Sequence, residues 1–146
     1  MAACQSDIVY HSYKPVPLDG WNQNDTIVYT LPNSIPTGNY EVKIGIRYQE
    51  SYPYRDLWLG ISHNTEDTLT YITDTLQHFL VDEVGNKTGN GPCGLYQCDL
   101  PYKASLHFCM EGNTRTFRIV HIMTDNPLIG ITDVGIQLRK VESPMH

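Results

Sequence analysis

The stretch 40–48, Tyr-Glu-Val-Lys-Ile-Gly-Ile-Arg-Tyr, limits what this chain can become more than any other. Tyr40, Val42, Ile44, Ile46 and Tyr48 fall on one side of an extended chain. Glu41, Lys43, Gly45 and Arg47 fall on the other. A period of two is the mark of a strand with one face buried and one face wet, and no helix presents it. Such a face needs neighbouring strands and a second layer to cover it. After a loop holding Tyr52, Pro53 and Tyr54, residues Leu57, Leu59 and Ile61 alternate with Trp58 and Gly60. Both faces there are apolar or small, which predicts a central strand covered on both sides.

The remaining segments repeat the theme. Residues 8–13, 26–31, 68–73, 102–110 and 116–123 read as strands, and Val134, Ile136 and Leu138 form a last one. Prolines 15 and 17 break the chain after the first, because neither donates to a ladder. Residues 32–39 form a loop, 63–67 a polar turn, and 82–86 a hairpin turn. Trp21 stands in a polar setting between two breaks. Residues 74–84 admit a capped helix or a strand; the threonines before them and the alternation of Leu76, His78 and Leu80 favour a strand. The expected architecture is all-β: an antiparallel, jelly-roll-like β-sandwich of about eight or nine strands, forming a single domain over residues 8–146.

Composition narrows the function. The chain has 146 residues, enough to bury roughly 70% of its unfolded surface in one core. Its formal charge of −6, with no basic cluster, disfavours nucleic acid as a partner. The residues 86–94 are glycine-rich but lack the Gly-Lys-Ser/Thr ending of a phosphate loop.

No arrangement of reactive residues names a chemistry. The six histidines are spread one to an element, without metal spacing, and His121 on an apolar strand face reads as a satisfied core residue. No serine nucleophile motif occurs, and the acidic pairs 66/67 and 82/83 lie in expected turns. The expectation is a protein that is not an enzyme and uses no metal and no cofactor. Cys93 and Cys98 flank a short loop; in an oxidising compartment they could close a disulfide, and otherwise they are free thiols. Cys4, behind small residues, marks either the cleavage point of a lipoprotein leader or nothing at all. The aromatics are a better lead. Tyr52, Tyr54, Trp58 and Trp21 could form an exposed platform for a sugar ring or a protein partner.

Four segments together resemble the GldH family of gliding motility-associated lipoproteins. They are Tyr-Pro-Tyr-Arg-Asp-Leu-Trp-Leu at 52–59, Asp67-Thr68, the Leu-Val-Asp-Glu-Val-Gly turn at 80–85, and Pro-Leu-Ile-Gly-Ile-Thr-Asp-Val-Gly-Ile at 127–136. The resemblance runs from about residue 27 to 140 and departs in the loop 87–100. It implies an exported protein of bacteria related to the gliding Bacteroidetes. Cys4 would then be the lipidation site, with its signal peptide trimmed, and residues 1–7 a tether. It further implies a periplasm-facing place in the cell envelope, membrane attachment through the lipid, and other envelope proteins as partners. The function expected from it is non-catalytic binding or scaffolding. The alternative is a carbohydrate-binding module using Tyr52, Tyr54 and Trp58, with a glycan as ligand.

Overall fold

The computed structural model describes residues 7–66, 70–112 and 114–142. Eight strands account for its regular structure. They are β1 (Ile8–Pro15), β2 (Ile27–Thr30), β3 (Gly38–Gln49), β4 (Asp56–His63), β5 (Ile72–Phe79), β6 (Leu95–Phe108), β7 (Thr116–His121) and β8 (Ile131–Val141). They form two four-stranded sheets, ordered β1-β8-β3-β6 and β2-β7-β4-β5. Every pairing is antiparallel.

The order has a simple origin. Strands β4 and β5 pair, as do β3 and β6, β2 and β7, and β1 and β8. The chain is thus one long hairpin, turned at β4–β5 and rolled so that successive rungs land in alternate sheets. That is the jelly-roll path, as the strand spacing predicts.

The alternation of residues 40–48 sets the interior. Tyr40, Val42, Ile44, Ile46 and Tyr48 are all fully buried, facing Leu57, Leu59 and Ile61 of β4 and Phe117 and Ile119 of β7. Each such side chain contributes about 1.5–3 kcal/mol of burial. The buried tyrosines also place their hydroxyls: Tyr48 Oη donates to Leu80 O at 2.9 Å and Tyr29 Oη donates to Val134 O. A buried phenol without such an acceptor would be costly.

Several expectations are corrected. Residues 72–79 are strand, so the helix alternative for 74–84 falls away there. Strand β6 begins at Leu95, not 102, because Pro101 lies on a sheet edge where a missing N–H is tolerated. His63 is not in a turn; it ends β4 and is buried. Strand β4 does sit centrally, between β5 and β7, but its outer face is open, with Trp58 exposed. The residues 1–6, including Cys4 and nearly all of the expected tether, lie outside the described residues, as do Asp67 and Thr68.

Candidate functional site

Two of the segments that carried the resemblance, 52–59 and 127–136, meet in space. The loop between β3 and β4 holds Tyr52 and Tyr54, and the loop before β8 holds Asp125–Gly130. Gln49 N–H donates to Gly130 O at 2.8 Å, and Tyr54 Oη donates to Asp125. Gly130 has φ +103°, and a Cβ there would lie 2.6 Å from Tyr52 Cα, so only glycine fits against the loop. Trp21 joins from the other side, exchanging backbone hydrogen bonds with Leu128 at 2.8 Å. Its ring packs edge-on against His121, 5.3 Å between centroids.

This packing breaks up the expected platform. Trp21 is 0% exposed and Tyr52 is 4% exposed. Tyr52 Oη donates to Asp56 O at 2.7 Å, so both ends of that ring serve the fold. Tyr54 is half-buried and tied to Asp125, whose hydrogen bond is the leading cause of its raised pKa. Trp58 alone keeps an accessible face, at 40% exposure.

Trp58 belongs to a different surface, the outer face of the β2-β7-β4-β5 sheet. Its cross-strand neighbour on β5 is Gln77, and its backbone carbonyl accepts from Ile122 at 3.0 Å. Asp56, two residues earlier on the same face, pairs with Phe79. Asp56 Oδ2 accepts from Trp58 Nε1 at 3.0 Å and from Gln77 Nε2 at 3.3 Å, which fixes the indole. Phe79 and Ile122 are exposed beside it, and Gly60, between Thr75 and Val120, adds no side chain to that face. The result is an apolar face with a carboxylate and an amide at its centre. Sequence alone showed Trp58 but not Phe79 or Ile122, because nothing local tells which sheet face stays uncovered.

At the β5–β6 side the sandwich is open. A cavity of about 510 Å³ there is lined by His78, Thr88, Asn90, Gln97, Cys98 and Asp99. Beside it lies one of about 630 Å³, lined by Arg55, Phe79, Asp82, Glu83 and others, sharing His78 and Thr88. Burial pushes the Cys98 thiol up to about 12 and holds His78 below the ordinary histidine range. A thiol so shifted is a poor nucleophile at neutral pH. Cys93 and Cys98 are both free thiols here, the first exposed and the second half-buried.

The other polar groups inside are structural. His121 Nε2 lies 2.8 Å from Trp21 O, as expected of a satisfied core histidine. Buried Arg115, which the sequence did not single out, donates through Nε to Cys109 O and through Nη2 to Glu111 O, holding the loop before β7. Among the described residues no group of three or more histidine, cysteine or acidic side chains could hold a metal ion.

Comparison with known proteins gives a consistent result. The model of the family described as GldH lipoprotein matches residues 8–138. Gliding motility lipoprotein GldH of Flavobacterium johnsoniae is 26% identical over 142 residues, covering 94% of this chain and 88% of that protein. The Gliding motility lipoprotein GldH homolog of Christiangramia forsetii is 27% identical over 149 residues, covering 97% and 90%. The chain belongs to the GldH lipoprotein family.

Proposed function

We propose that this protein is a lipid-anchored, non-catalytic binding or scaffolding component of envelope machinery related to gliding motility. Its partner surface is the outer face around Trp58. Membership of the family supports the envelope setting, and the relatives' names supply the link to gliding. The observation that carries the binding role is the exposed Trp58–Phe79–Ile122 face, held in place by Asp56. A tryptophan fixed by its own hydrogen bond and left uncovered loses little freedom on docking, the property that makes such residues interface anchors. Cys4 would carry the lipid, facing the domain to the periplasm, with another envelope protein as partner. Trp58→Ala should leave the thermal midpoint nearly unchanged and weaken co-isolation of envelope proteins at least tenfold. Unchanged co-isolation would sink the assignment.

A second reading has one observation in its favour. An accessible indole beside a carboxylate and an amide suits a saccharide ring, although Tyr52 is too buried to take part. A glycan array without a Trp58-dependent hit removes it.

A further inference from the structure

An exposed sheet edge is a row of unpaired backbone groups, and folded proteins usually block it. Three of the four edges here carry such a block along part of their length. On β1, Val16 N–H bonds to Thr132 O, so the outward-directed residues are His11, Tyr13 and Pro15, and Pro15 has no N–H. Strand β2 is four residues long, and its outward carbonyl at Val28 is taken by Lys14 Nζ. On β6, Gln97 exchanges both backbone bonds with Asn90 at 2.9 Å, and Pro101 follows on the same side.

Strand β5 has such a device only at its last residue, where Thr88 runs beside Phe79 and Leu80. Leu80 N–H bonds Arg55 O, and Ile122 N–H bonds Trp58 O. The odd-numbered residues of β4 therefore pair with Ile72, Asp74, Leu76 and His78, and the backbone of Thr73, Thr75, Gln77 and Phe79 points outward. Of these groups only Phe79 O has a partner among the described residues, Thr88 Oγ1 at 2.9 Å. The strand has no proline, no lysine and no bulge, and its register with β4 is unbroken. Its one charge, Asp74, is already held by Tyr102 and Lys103.

We infer that β5 is a pairing edge and that its occupant is β5 of a second copy of this chain, running antiparallel about a two-fold axis at Leu76. The strand is complementary to itself in that register. Leu76 meets Leu76, Asp74 meets His78, Thr75 meets Gln77 and Thr73 meets Phe79, so no like charges oppose each other. Outward backbone groups meet outward groups, and the two central Thr75–Gln77 rungs are free to form on both sides of the axis. The β2-β7-β4-β5 sheets of the two copies become one sheet of eight strands, closing both β5 edges. A two-fold axis perpendicular to the sheet keeps both Trp58 faces on the same side, giving one bivalent surface. Pairing of the β5 edges does not depend on what Trp58 binds.

Light scattering behind size-exclusion chromatography tests the pairing on the purified chain, without any partner. A concentration-dependent monomer–dimer equilibrium is expected. Thr75→Pro removes an outward N–H that β4 does not use, so it should abolish the dimer and leave the monomer folded. Should that proline disturb the fold, the double variant Thr75→Lys with Gln77→Lys sets like charges directly opposite across the two-fold axis and should have the same effect. Hydrogen exchange on the unaltered chain gives an independent reading. The amides of Thr75 and Gln77 should gain at least tenfold protection between dilute and concentrated samples. A chain monomeric at every concentration, a dimer indifferent to the lysine pair, or amides whose exchange ignores concentration would each overturn the inference.

Discussion

Tyr13 shows how much one residue can settle. Its ring lies across Gly45 and Gly135, which face each other on β3 and β8. Arg47 stacks on its outer face, 4.0 Å from the centroid. A Cβ at Gly135 would sit 2.8 Å from Tyr13 Cγ, and one at Gly45 would collide with the Tyr13 hydroxyl. The glycines therefore serve as a slot, and an aromatic from a neighbouring strand repairs the packing they forgo. Gly135→Ala should cost about 1–3 kcal/mol by overpacking. The same substitution in a Tyr13→Ala background should cost markedly less. Urea denaturation of the four proteins of that cycle measures the coupling, and strict additivity would contradict the slot.

At the scale of elements, the turn after β5 organises the open side of the sandwich. Asp82 Oδ1 accepts from Val84 N–H at 3.0 Å and Asn86 N–H at 2.8 Å, and Asp82 N–H bonds Asn86 O at 2.7 Å. That turn sends the chain back so that Thr88 reaches Leu80 and Phe79, and Asn90 covers Gln97. Asp82→Ala removes both side-chain bonds and should cost about 1–2 kcal/mol, the scale of a lost helix cap or turn acceptor. Amides at 86–90 should exchange faster while those of β3 and β8 do not change. This turn was legible in the sequence, since Asp-Glu-Val-Gly-Asn is local chemistry. So was the interior face of β3, where alternation alone places each side chain. The burial of Trp21 was not, because its partner Leu128 lies more than 100 residues away and its own neighbours are polar. The same limit hid the Phe79–Ile122 surroundings of Trp58. Strand alternation says which residues share a face, and topology decides whether that face is covered.

At the scale of the molecule, the histidines give the fold a pH dependence of definite sign. Burial lowers the pKa of His63, His78 and His121 below the ordinary value. The unfolded chain then takes up protons first as pH falls, so stability is full above about pH 6.5–7 and declines toward pH 5. Asp74 is held low chiefly by the Tyr102 hydrogen bond, so its contribution is lost only as pH falls through the ordinary carboxylate range and below, outside that window. The urea midpoint should drop between pH 7.5 and 5, and His63→Gln should flatten part of the slope. A midpoint that rises over that interval would contradict the assignment of these histidines as buried neutral groups.

If the outer face around Trp58 docks another envelope protein, a photo-crosslinking residue placed in living cells at Ile122, beside the intact Trp58, will capture it, with the same residue at Lys43 on the outer face of the opposite sheet as reference. Discrete protein adducts are expected from position 122 and none from position 43. Adducts from position 43 alone, or none from position 122, would rule the docking face out.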